Sequence, residues 1–169
     1  AGTAPVDYCT VESTGEDEYI SNVLFNTIDN TTGWDGYGDY TAISTDLLEA
    51  STNTITITLT NGYSLDQGAV YIDWNQDMDF CDADEIIPMT VGTGAGPYTA
   101  DVTVPGGAPL GATRMRIGLN YNAAAPACGS TSWGDYEDYT VNVISAGPTP
   151  TPTGPTPTPP AVPATGPAG

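Results

Sequence analysis

The chain has 169 residues, and its 21 acidic side chains outnumber the two basic ones, Arg114 and Arg116, so that the formal net charge is -19. A surface this acidic repels phosphate backbones and offers no basic patch, which excludes nucleic acids and anionic membrane surfaces as partners. Because the chain has no histidine, neither a Ser-His-Asp or Cys-His catalytic arrangement nor a histidine-ligated zinc site can form.

Such a charge destabilises a compact domain by self-repulsion unless something neutralises it, and divalent cations are the obvious candidates. The alternative interpretation is an acidic secreted surface without bound cations. No run of about 18 apolar residues is present, so no membrane insertion is expected. The small, polar residues 1–5 are typical of the end that signal-peptide removal leaves, and we expect a secreted, extracellular or cell-surface protein.

The predicted elements are short β-branched and aromatic runs between turn signals, with no helical period. The clearest predicted strand, at residues 53–60, alternates Ile55, Ile57 and Leu59 with threonines. It ends at the turn signal Asn61-Gly62. The pattern favours an all-β fold, an antiparallel β-sandwich or jelly roll. We predict strands at residues 19–28, 40–44, 53–60, 69–74, 85–89, 98–104, 113–121 and 138–144.

An N-terminal segment, residues 1–6, precedes this domain, which we place at residues 7–144. Residues 145–169 form an extended Pro/Thr-rich tail or linker of polyproline type, with threonines suited to O-glycosylation. The candidate O-glycosylation sites are Thr149, Thr151, Thr153, Thr156 and Thr158. The single Asn-x-Ser/Thr sequon, at Asn30, lies in a predicted turn and is a candidate N-glycosylation site.

An acidic loop follows the strand predicted at residues 69–74. Its oxygen-bearing side chains alternate and then close near the twelfth position, the spacing of a loop wrapped around one calcium ion. The candidate ligands are Asp73, Asn75, Asp77, Asp79, and Asp84 or Glu85. Met78 occupies the sixth position, where such loops usually have glycine, and a positive φ there would be costly. The alternative is a solvated acidic turn.

A second set of acids flanks three other predicted strands. It comprises Glu18, Asp39, Asp135, Glu137 and Asp138. If these strand edges adjoin, their carboxylates form a second calcium site; otherwise they cap turns that face water. Acids this dense suit a metal ion better than the separated acid and base of a glycosidase. An independent enzyme would need a cleft with one buried carboxylic acid, and we expect no catalysis.

Three cysteines in an exported chain indicate one disulfide and one free thiol, and three pairings are open. A bridge between Cys9 and Cys128 would join the two ends of the sandwich. Cys81 would then lie in the acidic loop, where carboxylates disfavour its thiolate. Of the ten tyrosines, we expect Tyr71 and Tyr139 in the core, although aromatic rings would also suit a sugar-binding face.

Several short segments occur in a fixed order along the chain, namely Tyr8-Cys9, Glu18-Tyr19-Ile20, Gly36-Tyr37-Gly38-Asp39-Tyr40-Thr41, Ile72-Asp73-Trp74-Asn75-Gln76-Asp77, Thr113-Arg114-Met115-Arg116, Ala127-Cys128-Gly129 and Gly134-Asp135-Tyr136-Glu137-Asp138-Tyr139-Thr140-Val141. Together they resemble the GEVED domain over roughly residues 7–144, and the family's naming sequence, Gly-Glu-Val-Glu-Asp, corresponds to residues 134–138. The resemblance implies a β-sandwich module of secreted and cell-surface bacterial proteins, often appended to proteases or adhesins, with no activity of its own established. It also supports the Cys9–Cys128 pairing.

Two functions compete on these grounds. The first is a non-catalytic structural subunit, stabilised by calcium and glycosylated, whose tail docks on a neighbouring copy to build a surface filament or layer. The second is an accessory carbohydrate-binding or adhesion module of a larger secreted hydrolase. A row of exposed aromatic side chains on one sheet face would favour the second function.

Overall fold

In the computed structural model, which describes residues 7–90, 94, 96–145 and 147, the described part of the chain forms strands and turns and no helix. The strands are β1 Val11–Ser13, β2 Tyr19–Phe25, β3 Ile28–Thr31, β4 Gly38–Leu48, β5 Thr52–Thr60, β6 Asp66–Ile72, β7 Ile86–Pro88, β8 Tyr98–Thr103, β9 Gly111–Tyr121, β10 Gly129–Thr131 and β11 Asp135–Ile144. Accordingly, none of these segments is a long apolar helix of the kind that crosses a membrane.

Two sheets pack face to face, which confirms the predicted all-β sandwich. The larger sheet has the order β4-β11-β9-β6-β7, and the smaller has the order β3-β2-β5-β8. Neighbours within both sheets run antiparallel except β4 and β11, which are parallel. The short strands β1 and β10 form a separate parallel pair.

The main core lies between the two sheets and follows the alternation of the strands. Ile55 and Ile57 of β5 face Met115 and Ile117 of β9, and all four are buried in one cluster. Burying one such side chain contributes about 1.5–3 kcal/mol. Tyr139 belongs to the same cluster, as predicted.

Three departures from the predicted elements have local causes. The strand predicted at residues 19–28 is a hairpin, because the chain reverses at Asn26, where φ is 50°, and pairs Phe25 with Ile28. Strand β4 extends well past the predicted residues 40–44, because it follows β11 in parallel register up to Leu48. Strands β1 and β10 have three residues each, too few to show a period.

A second, smaller core covers the outer face of the larger sheet. It contains Val11, Tyr71, Phe80, Ala125 and Tyr136, with Tyr8 and Tyr37 packed against it. Tyr71 is therefore buried, as predicted, although in this cluster and not between the sheets. The disulfide between Cys9 and Cys128 joins the segments that cover this face, which confirms the predicted pairing.

Arg116 holds this outer core together. Its Nε donates to Asp138 Oδ1 at 2.7 Å, and its Nη2 donates to Asp138 Oδ2 at 2.9 Å. Its Nη1 donates to the carbonyl oxygens of Cys9 and Ala127, beside the two bridged cysteines. Arg114 also donates to Asp138, at 2.8 Å. Both basic side chains of the protein are therefore committed to one buried carboxylate.

Candidate calcium loop

The acidic loop at residues 73–85 connects β6 to β7, two antiparallel strands that bring its ends together. Tyr71 pairs with Ile86, and the Ile72 N–H donates to the Glu85 carbonyl at 3.0 Å. The two acids at this neck, Asp73 and Glu85, are each 0% exposed. Burying an ionised carboxylate costs free energy, so a buried carboxylate is normally hydrogen-bonded or close to a cation.

The Asp73 carboxylate binds the backbone of its own loop. Its Oδ1 accepts from the Asp77 N–H at 3.2 Å, and its Oδ2 accepts from the Met78 N–H at 3.0 Å. The Tyr8 hydroxyl also donates to Oδ2, at 2.5 Å. Burial and this bond to Asp73 raise the pKa of Tyr8 to about 12. The first turn of the loop is thus fastened to one fully buried carboxylate.

Glu85 closes the other end in the same way. Its Oε1 accepts from the Trp74 N–H at 2.9 Å and from the Asn75 N–H at 3.5 Å, and its Oε2 accepts from the Asp82 N–H at 3.4 Å. Burial raises the pKa of the Glu85 carboxyl above its usual value, although the backbone donors oppose the shift.

Between these ends, the exposed side chains Asn75, Asp77 and Asp79 each accept from the N–H two residues further on, at 2.8–3.2 Å. The Asn75 amide also donates to Asp77 and to Asp82. Asp82 takes part in this network although the loop spacing did not select it, whereas the predicted Asp84 is exposed. These regular two-residue bonds tie the exposed side chains to the backbone of the loop itself.

Met78 has φ 74°, the left-handed conformation that calcium loops usually assign to glycine at the sixth position. Gln76, two residues earlier, has φ 61°. The strain expected for a methionine at this position is therefore present. The same turn brings the Met78 N–H to Asp73.

The donor set fits calcium in chemistry, because it consists of hard carboxylate and amide oxygens in the order that a calcium loop requires. In the described residues, however, no group of three or more His, Cys, Asp or Glu side chains is positioned to hold a metal ion. The oxygens of Asp77 and Asp79 bond loop N–H groups instead. To complete a coordination shell, these two exposed side chains would turn toward the buried ends.

The five acids of the second predicted set lie in different environments. As the hypothesis required, two of the strand edges adjoin: Glu137 pairs with Gly38, and Asp138 pairs with Asp39, in the parallel ladder of β4 and β11. Asp138 nevertheless faces the arginines, and Asp39 is exposed. Bonds from the Thr41 hydroxyl and N–H hold the pKa of Asp39 below its usual value.

Asp135 and Glu137 point the other way, toward the smaller sheet. The Ile20 N–H donates to Asp135, and the hydroxyls of Thr32 and Tyr139 donate to Glu137 at 2.6 and 2.7 Å. Burial, together with repulsion from Glu137, raises the pKa of Asp135 to about 8. Burial also raises the pKa of Glu137 to about 7.

Glu18 lies apart from these four acids, and the charge of another buried acid, Asp66, adds to the burial that raises the pKa of Glu18. Both acids are buried, and burial raises the pKa of each. Each also has one carboxylate oxygen with no hydrogen-bond partner among the described residues. Nothing in the sequence around Asp66 indicates this proximity, because it depends on how β2 and β6 lie in the fold.

Two other predicted sites, Cys81 and Asn30, lie in the described part of the chain. Cys81 is free and exposed in the acidic loop, and the bond to Asp79 and the charge of that carboxylate raise the pKa of its thiol, as predicted. The prediction of a turn at Asn30 is wrong: Asn30 lies in β3, and its amide nitrogen donates to the Tyr139 hydroxyl at 2.9 Å. N-glycosylation there would replace one of the two hydrogens on this nitrogen. The tail threonines lie outside the described residues.

Residues 67–142 match the family model of the GEVED domain. This match supports the predicted resemblance to the GEVED domain family. The matched segment runs from β6 into β11, so it includes the acidic loop, both arginines and residues 134–138. No curated protein matches the sequence. The matched segment supplies most of the larger sheet, whereas β4 and most of the smaller sheet lie before it.

Proposed function

We propose that this chain is a non-catalytic extracellular structural protein, a calcium-stabilised subunit that self-associates into a cell-surface filament or layer. The GEVED domain suggests a secreted module, and a disulfide that links distant parts of the chain suits an oxidising compartment. The observation that carries the calcium part is the acidic loop, in which two fully buried carboxylates fasten the ends of a winding, oxygen-rich turn.

Self-association is supported by β4, which lies at the edge of the larger sheet and has eleven residues. The described residues include no strand that pairs with its outer side. An unpaired edge presents N–H and C=O groups that can bind a strand of another chain. Two copies at a formal charge of -19 repel each other, so cations bound to the loop would favour assembly as well as stability.

Electron microscopy with and without calcium tests the assembly. We expect ordered fibres or sheets in calcium and their dissolution in excess chelator. Single particles under both conditions would contradict self-association, whereas fibres that persist in chelator would contradict the link to calcium.

Thermal unfolding tests the calcium loop separately. Calcium should raise the Tm of the wild type, because a ligand that binds only the folded state stabilises it. The double variant Asp77→Asn, Asp79→Asn should lose most of this increase. The matched control is the double variant Glu12→Gln, Glu16→Gln, which removes two exposed charges outside the loop. It should keep the increase in Tm that calcium causes. The same Tm in calcium and in chelator would show that the loop does not hold the ion.

A carbohydrate-binding module is less well supported. Among the described residues, the exposed aromatic rings are Tyr63, Tyr121 and Trp133, and they lie at strand ends around one pocket and not in a row on a sheet face. Glu18 gives this pocket the buried acid that an enzyme would need. The other acid of this pocket, Asp17, already accepts a hydrogen bond from the Tyr63 hydroxyl. We expect no hydrolysis of polysaccharides, which a reducing-sugar assay checks.

A further inference from the structure

A pocket of about 290 Å³ lies where β2 begins and where β5 and β9 end. Three aromatic side chains and two acids line it, namely Tyr63, Tyr121, Trp133, Asp17 and Glu18. None of these residues belongs to the acidic loop, and the proposal below does not depend on calcium or on assembly.

The aromatic walls are held in place. Tyr63 and Tyr121 meet edge to face, with ring centroids 5.8 Å apart. The Tyr63 hydroxyl donates to Asp17 Oδ2 at 2.9 Å. Trp133 is 47% exposed but packs so closely on Gly15 that a Cβ there would collide with the indole ring. The pocket is therefore built before any ligand arrives.

One residue that lines this pocket has an unsatisfied carboxylate oxygen. Glu18 is only 1% exposed, and its Oε1 has no hydrogen-bond partner among the described residues. Asp66, which is 0% exposed, also has an unpartnered oxygen, Oδ1, while its Oδ2 accepts from the Tyr63 N–H at 2.6 Å. A buried charged acceptor without a donor is strongly unfavourable, and a second one beside it adds repulsion.

No basic side chain of this chain can balance an ionised Glu18. The protein has two arginines and neither lysine nor histidine, and both arginines bind Asp138. A donor that keeps Glu18 ionised therefore has to come from another molecule, and without one the carboxyl tends to keep its proton, as its raised pKa indicates. A second copy of this chain cannot provide a lysine either.

The walls indicate which kind of cation fits. Calcium requires six to eight oxygen ligands, whereas the lining offers two carboxylates and two tyrosine hydroxyls, and the Tyr63 hydroxyl already donates to Asp17. Organic cations, in contrast, bind over the faces of tryptophan and tyrosine. We propose that this pocket binds an alkylammonium group, with an N–H donating to Glu18 and the alkyl chain against Tyr121 and Trp133.

NMR titration of the tryptophan indole N–H signals tests the proposal, with n-butylammonium as the probe and n-butanol as its neutral counterpart. At about pH 8, where carboxylates are normally ionised, only butylammonium should shift the Trp133 signal. The Glu18→Gln variant should bind about tenfold more weakly, because it loses the charge and keeps the shape.

The variant Trp133→Ala checks the aromatic wall at an exposed position, where folding is not at risk, with binding followed by backbone amide signals. It should also weaken binding by about tenfold. Leu110→Ala, at an exposed apolar residue outside the pocket, should bind as the wild type does. Equal shifts with butanol, wild-type affinity in both pocket variants, or binding of cello-oligosaccharides in place of butylammonium would each overturn the proposal.

The alkylammonium group has two sources, a free polyamine or a lysine side chain of another protein. A titration that compares spermidine with N-acetyl-lysine methylamide distinguishes them. Tighter binding of spermidine supports a small-molecule site, and tighter binding of the lysine derivative supports a contact with a lysine-bearing protein.

Discussion

Among single residues, Arg116 has the most consequential contacts. It is almost fully buried, binds both oxygens of Asp138, and reaches the backbone on either side of the disulfide. Its guanidinium also lies 5.2 Å from the centroid of the Phe80 ring. A planar group with several donors can make all these contacts together, whereas an ammonium cannot.

Replacing Arg116 should therefore be severe even when the charge is kept. We expect Arg116→Lys to lower the free energy of unfolding by about 3–5 kcal/mol, because Asp138 stays buried with much of its bonding lost. Urea unfolding measures this change. Arg114→Lys is the control. Because Arg114 is partly exposed, this variant should lose less free energy of unfolding. Equal losses in the two variants would show that the bidentate geometry is unimportant.

Met78 is a second single residue whose replacement should change the stability, because its φ of 74° is strained for any side chain. Met78→Gly should raise the free energy of unfolding by about 1 kcal/mol through relief of this strain. Met78→Ala serves as the control, since it shortens the side chain and keeps the strain. A stabilisation of the same size in the alanine variant would point to the exposed side chain and not to the backbone.

At the scale of elements, β11 shows how one strand divides its acids between two environments. Glu137 faces the smaller sheet and receives hydroxyl donors, whereas the next residue, Asp138, faces the arginines on the outer side. Side chains alternate along a strand, so neighbours in sequence lie on opposite faces of the sheet. The Gly-Asp-Tyr-Glu-Asp segment is thus built into both cores.

The pH dependence of stability should follow from β11. The pKa values of Asp135 and Glu137, about 8 and about 7, lie above the usual values of about 3.9 and 4.3 for unfolded chains. Between about pH 4 and pH 8 the folded state therefore binds more protons, and its stability falls as pH rises through that window.

Urea unfolding at about pH 5 and pH 8 checks this prediction. The wild type should be less stable at the higher pH. Asp135→Asn and Glu137→Gln should both reduce the difference, because neither variant has a proton to lose at that position. Asp101→Asn, at an exposed acid of β8, controls for net charge. If that control reduces the difference equally, general repulsion is the cause and not the buried acids.

For the whole molecule, the disulfide connects residues that are 119 positions apart. It restricts the unfolded chain over most of the described domain, and a loop of about 100 residues corresponds to roughly 4.7 kcal/mol in the chain-entropy account. It also fixes Tyr8 and Cys9 over the outer core, where Tyr8 meets the acidic loop.

Removing the bridge should therefore lower stability strongly. The double variant Cys9→Ser, Cys128→Ser should lose several kcal/mol of unfolding free energy, measured by urea unfolding. Cys81→Ser should behave like the wild type, because Cys81 is exposed and free. A double variant as stable as the wild type would mean that the unfolded chain gains little freedom when the bridge is absent.

Much of the fold was predictable from the sequence, whereas the calcium site stays a prediction. The alternation of Ile55, Ile57 and Leu59 identified a half-buried strand, and the run of acids after β6 identified a loop whose two ends are buried carboxylates. These features depend on residues close together in the chain. Asn26 was missed as a turn because its φ of 50° interrupts a run that is otherwise strand-like.

The sequence by itself determined the strong acidity, the absence of histidine chemistry, the all-β class and the order of the oxygen-bearing side chains in the loop. The tertiary structure alone decided the surroundings of the other acids, because it buries Glu18 and Asp66 and gives Asp138 to both arginines. The physical reason is that a carboxylate's charge and pKa depend on burial and on neighbours within a few ångströms. Those neighbours come from strands that are distant in the chain.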